Sequence, residues 1–191
     1  MKWLAKLILK LTGWTIDYNI PKEAQRSVMI AAPHTTNWDA LYTRLAFFVL
    51  GIPVKIAIKD YWTRFPFSLL IVPLGGLGID RRKREAGEKR ISQTDQMAAF
   101  FEQFERIALV IAPEGSRSLR KEWKMGFYYT AQKANVPITF GYLDYSTRTA
   151  GVGGPVYPSD DMEADMQKIM DFYKKIEGKY PENFSLDQRY E

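Results

Sequence analysis

Short apolar runs rich in β-branched residues, alternating with segments of helical pattern, constrain this chain more than any other feature. Residues 27–32, 54–58, 107–112 and 136–143 form four such runs, each bounded by proline, glycine or charge. Between or after them, helical patterns are expected over 39–50, 61–70 (broken at Pro66), 88–106, 126–134 and 160–177. The first of these closes at Gly51 and Pro53, and the last has Ser159 at its start, acids in its first turn and lysines in its last. The glycine-rich stretch 75–78 reads as a turn. Apolar runs too short for helices and interrupted by only one charge, Lys55, are strands covered on both faces, and strands that alternate with helices pair in parallel. The expected fold is therefore α/β, a mainly parallel central sheet flanked by helices, with residues 21–191 as a single domain.

Residues 1–20 stand apart. Lysines occupy positions 2, 6 and 10, while Trp3, Leu4, Leu7, Ile8 and Leu11 fall at helical spacing on the other side. That pattern fits a helix lying in a membrane interface, and it equally fits an amphipathic helix packed on the core. No long apolar centre or small-residue cleavage site marks a signal peptide. The longest nearly uncharged apolar run, 69–79, falls far short of the roughly 20 residues a spanning helix needs, so no transmembrane helix is expected. The net charge of +5 is uneven: from Ser159 on there are 9 acidic and 5 basic residues, leaving 13 acidic and 22 basic before it. Such a field favours anionic partners. With no nucleic-acid motif and no arginine–aromatic interleaving, lipid or phosphate fits better than nucleic acid. The chain has no cysteine and one histidine, which excludes thiolate chemistry and leaves a metal site without its usual ligands.

That single histidine, His34, precedes Asp39 by five residues, at the junction of the first strand and first helix. An imidazole whose second nitrogen faces a carboxylate is held in one tautomer and suits a general base. No Gly-x-Ser-x-Gly elbow occurs, so direct attack by a substrate hydroxyl on a thioester fits better than an acyl-enzyme. After the third strand comes Pro113-Glu114-Gly115-Ser116-Arg117-Ser118, where Gly115 allows close backbone approach and Arg117 offers a fork for phosphate. On spacing alone, the same residues also fit a loop histidine beside an ordinary helix-start acid, and a tight turn with a surface Glu–Arg pair.

The order of these blocks resembles the glycerolipid acyltransferase family, which includes the bacterial 1-acyl-glycerol-3-phosphate acyltransferases. The resemblance rests on His34-x4-Asp39, on Gly75-x-x-Gly78-Ile79-Asp80-Arg81, on the Pro113–Ser118 block, on Trp123-Lys124-Met125-Gly126, and on Val136-Pro137-Ile138. It implies transfer of a fatty acyl group from acyl-coenzyme A or acyl-carrier protein to the hydroxyl of a lysophospholipid, 1-acyl-glycerol-3-phosphate above all. It implies that His34 is the base and Asp39 its orienting partner. Arg81, Glu114, Gly115, Ser116 and Arg117 are implied to bind the acceptor, with Lys124, Gly126 and Pro137 as further substrate contacts. No metal or cofactor beyond the thioester co-substrate is implied, and the expected location is the cytoplasmic face of a membrane, bound peripherally. Gly78 stands where the family has a large apolar residue, and Ser116 where it often has threonine. Two alternatives keep the same residues: O-acylation of a lyso-aminolipid, and a non-catalytic membrane lipid-binding protein.

Overall fold

A computed structural model of the chain describes residues 2–80 and 91–191. Its centre is a seven-stranded sheet in the order β1-β7-β6-β2-β5-β3-β4. Strands β2 (Arg26–Ala31), β3 (Val54–Lys59), β4 (Gly76–Ile79), β5 (Ile107–Ile111) and β6 (Ile138–Asp144) are mutually parallel. Strand β7 (Thr149–Val156) runs antiparallel to β6, with the two-residue β1 (Thr15–Ile16) beside it. Strand β2 lies between β5 and β6, which explains its unbroken apolar run: Val28 and Ile30 face one core, Met29 the other, and all three are buried.

Helices α1 (Lys2–Leu11) and α2 (Trp38–Leu50) cover one face of the sheet, where Leu9, Phe47 and Val54 share a cluster. Helices α4 (Gln93–Gln103), α5 (Gly126–Ala134) and α6 (Met162–Tyr173) cover the other, around Ile30, Phe101, Phe127 and Met166. Helix α1 packs on α2 through Ala5 and Leu9, yet leaves Trp3, Leu4, Leu7 and Leu11 exposed.

Several elements differ from expectation. The 75–78 stretch is mostly strand: Gly76 and Gly78 pair with Ile56 and Ile58 in β4. The 61–70 helix is only a 3-10 turn at Asp60–Thr63 and the single helical turn α3 (Ser68–Ile71), since neither buries a residue that would hold it longer. Helix α4 begins at Gln93, capped by Ser92, which accepts from the Asp95 N–H (3.1 Å); residues 88–90 lie outside the described ones. Helix α6 is capped by Asp161, which accepts from the Ala164 N–H (3.0 Å), while the Ser159 hydroxyl donates to Asp165 (2.9 Å).

Candidate active site

His34 lies on the loop between the carboxyl end of β2 and the start of α2, where open parallel sheets place their ligands. Asp39 is the second residue of α2, and its carboxylate folds back over that loop. Oδ2 accepts the N–H groups of Thr35 and Thr36, both at 2.9 Å, and lies 3.3 Å from His34 Nδ1. Five residues of separation would put the two side chains on different faces of one helix; the loop's reversal brings them together. Oδ1 accepts the Tyr145 hydroxyl at 2.7 Å. Asp39 is buried, and these donors and the amide end of α2 replace the water it has lost. Burial first, and then the bond to Asp39, push the Tyr145 hydroxyl far above its ordinary value, so it remains a neutral donor. The imidazole's engaged nitrogen is Nδ1, which leaves Nε2 for chemistry.

Glu114, just past β5, is also buried and turns toward the same loop. Both its oxygens accept the His34 backbone N–H, at 3.1 and 3.0 Å. Burial pushes its carboxyl up to about 8; the His34 N–H pulls the other way and the Asp39 charge adds to the rise. Glu114 thus holds the backbone that carries the base, and it lines neither of the cavities beside His34.

Those cavities differ in character. One, of about 180 Å³, lies against α2 and is walled by apolar groups including Ala40, Val54, Val110 and Leu143, with Arg44 at its side. The other, of about 420 Å³, is edged by Gly115, Ser116, Arg117, Lys124 and Gly126. His34 lines both. Gly115 has φ +66°, and a Cβ there would stand 2.6 Å from Lys124 Nζ, so glycine lets the ammonium lie over the turn. The Lys124 N–H donates to the Pro113 carbonyl (2.9 Å) and closes this loop. Buried Trp123 anchors it, donating its indole N–H to the Ser185 carbonyl (3.0 Å). The Ser116 hydroxyl accepts from Arg120 Nε at 3.1 Å. Among the described residues Arg117 and Lys124 have no ion-pair partner, so both cations are available to an anion.

The structure therefore gathers His34, Asp39, Glu114, Gly115, Ser116, Arg117, Lys124 and Gly126 at one end of the sheet. It does not bring Pro137 there: its carbonyl accepts the Val28 N–H at the amino end of β2, while Ala31, next to the site, pairs with Gly141. Arg81 lies outside the described residues. Tyr145, Arg44 and Arg120 were not expected from the sequence, because no motif spacing links them to His34. Among the described residues no group of three or more His, Cys, Asp or Glu side chains is placed to hold a metal.

Residues 15–140 match the family described as acyltransferase. The chain belongs to that family. Comparison with curated proteins gives no match. Among solved structures, the fold is similar to the crystal structure of the 1-acyl-sn-glycerophosphate (LPA) acyltransferase, PlsC, from Thermotoga maritima, with 15% identity, a TM-score of 0.55, and coverage of 91% of this chain and 75% of that one. At that identity the likeness is one of fold. As an acyltransferase, the chain moves acyl groups. The shared fold is the mainly parallel α/β sheet described above.

Proposed function

We propose that this acyltransferase transfers a fatty acyl group from a coenzyme A or carrier-protein thioester to the hydroxyl of a lysophospholipid, 1-acyl-glycerol-3-phosphate fitting best, in phospholipid biosynthesis. One observation carries the reading: a single imidazole lines an apolar cavity on one side and, on the other, a cavity edged by two cations, Arg117 and Lys124, that have no ion-pair partner among the described residues. In this scheme Arg117 and Lys124 bind the acceptor's phosphate and the acyl chain occupies the apolar cavity. His34 Nε2 removes the acceptor hydroxyl's proton as its oxygen attacks the thioester carbonyl. Collapse of the tetrahedral intermediate breaks the C–S bond, and the departing thiolate takes the proton back from the imidazolium. Asp39 stabilises that imidazolium and fixes the ring. No metal or organic cofactor enters these steps; the thioester is a co-substrate.

The proposed location is the cytoplasmic surface of a membrane, with residues 1–20 as an associating segment and 21–191 as the acyltransferase domain. The exposed Trp3, Leu4, Leu7 and Leu11 support it. Among the described residues no helix is long and apolar enough to cross a membrane.

The test is release of free thiol from acyl-coenzyme A in the presence of lysophosphatidic acid, with the product identified by mass spectrometry. His34→Ala is expected to lower turnover by at least about 10³-fold with the fold intact, the scale of a lost general base and its positioning. Arg117→Ala is expected to raise the acceptor KM about tenfold or more while the donor KM stays within twofold, as loss of a charge-assisted bond predicts. Near-normal turnover of the His34 variant, or no product with lysophosphatidic acid, refutes the assignment.

A further inference from the structure

The 60–74 segment joining β3 to β4 is the least explained part of the molecule. It places eight large apolar side chains in solvent, among them Phe65 at 81%, Leu69 at 73% and Leu70 at 66% exposed, and buries none. A soluble surface tolerates scattered apolar residues, but a run of this density marks a surface that is covered in use. Tyr61, Trp62 and Phe67 pack on one another in edge-to-face and tilted contacts, with ring centroids 4.9–5.5 Å apart, and form an aromatic cluster. The only charges between 60 and 74 are Asp60 and Arg64, which pair at 2.5 Å and cancel.

Its side of the sheet is fixed by packing. A Cβ on Gly76 would meet Ile71 and Ile58, and one on Gly78 would meet Thr63, so the segment lies over these glycines. Gly76 and Gly78 pair with Ile56 and Ile58, on the β3 face that carries Val54 toward α2. The segment therefore shares a face with α1 and α2, whose Trp3, Leu7, Leu11 and Leu41 are exposed as well. Val54 and Ile56, beside it on the same strand, line the apolar cavity at His34.

Charge is arranged to match. Helices α1 and α2 and the 60–74 segment together carry five basic residues and two acids, Asp39 being buried and Asp60 paired. The acidic α6 packs against the opposite face, where Phe172 meets Phe140 and Tyr142. An anionic surface thus attracts the α1–α2 side and repels the far one.

We propose that the 60–74 segment inserts into the interface of an anionic phospholipid bilayer, so that the molecule rests on its α1–α2 face and lipid passes from the bilayer directly into the apolar cavity. The inference rests on the lipid acyltransferase reading for what enters the cavity; the docking itself does not depend on it.

Because the chain has no cysteine, Phe65→Cys and, on the opposite face, Tyr129→Cys each give one site for a polarity-sensitive fluorophore. With unilamellar vesicles of equal phosphatidylglycerol and phosphatidylcholine, the label at 65 is expected to shift to the blue and the label at 129 to stay as in buffer. The triple variant Phe65→Ser, Leu69→Ser, Leu70→Ser is expected to partition onto these vesicles at least about tenfold more weakly, with an unchanged thermal transition, since apolar burial drives insertion. An unshifted label at 65, or undiminished partitioning of the triple variant, overturns the proposal. So does a wild-type dimer in lipid-free buffer that the triple variant makes monomeric, since a second copy then covers the patch. If the vesicle results hold but no thiol is released from acyl-coenzyme A, the functional reading fails and the docking stands.

Discussion

The residues that hold His34 do so with a tension that pH exposes. Glu114 is buried beside Asp39, and its carboxyl, raised to about 8, keeps its proton in the folded chain at pH values where the unfolded chain has lost it. With the unfolded value near 4.5, unfolding releases this proton between about pH 4.5 and 8. The group's contribution to stability therefore falls as pH rises through that window and is at its worst above it. Glu114→Gln keeps an acceptor for the His34 N–H and removes the ionisation. Urea denaturation is expected to show the variant more stable than the parent by about 2–4 kcal/mol at pH 8.5, the gap closing by about pH 5. A gap that does not change with pH counts against the assignment. The His34–Asp39 pair and the Glu114–Arg117 block are legible in sequence because their chemistry is local. Two things are not: that Glu114 faces a backbone N–H, and that Tyr145 reaches Asp39 from 106 positions away. Both depend on neighbouring strand ends, which no spacing in the chain encodes.

At the scale of elements, the apolar β-branched runs stand as strands, because burial on both faces of a parallel sheet demands that composition. Two kinds of element depart from that pattern: the bulky 61–70 segment, which buries nothing that would hold a longer helix, and strands built from small residues. Strand β7 is Thr-Ala-Gly-Val-Gly-Gly-Pro-Val, which carries no sustained apolar run to mark it and forms through its hairpin with β6. Strand β4, Gly-Leu-Gly-Ile, reads as a turn for the same reason. Its glycines serve packing, since a Cβ at Gly78 would lie 2.5 Å from the Thr63 hydroxyl and 3.1 Å from the Asp60 Cα. This accounts for glycine where the family has a large apolar residue: the 60–63 turn occupies that space. Gly78→Leu is thus expected to destabilise the protein by about 1–3 kcal/mol through overpacking, read as a lower urea midpoint. An unchanged midpoint means the turn yields without cost.

Across the whole molecule, the sequence displays a basic first part and an acidic end, but not which side each occupies. Sidedness follows from the crossovers, which place α1 and α2 on one face and α6 on the other. On that arrangement, the lysines of α1 contribute to membrane binding only where the bilayer is anionic. Lys2 is a poor probe, because its ammonium donates to the Val49 carbonyl at 3.2 Å near the end of α2. Lys6 and Lys10 are exposed and have no ion-pair partner among the described residues, so Lys6→Gln with Lys10→Gln removes charge and spares the packing of Ala5 and Leu9. At about 1 kcal/mol per lysine near an anionic surface, each substitution is expected to weaken binding about fivefold at low salt. Co-sedimentation with phosphatidylglycerol vesicles reads the loss, which should shrink as salt shortens the screening length and vanish on pure phosphatidylcholine. An equal loss on both lipids means that these lysines act through packing, and that the charge asymmetry does not set which face meets the bilayer.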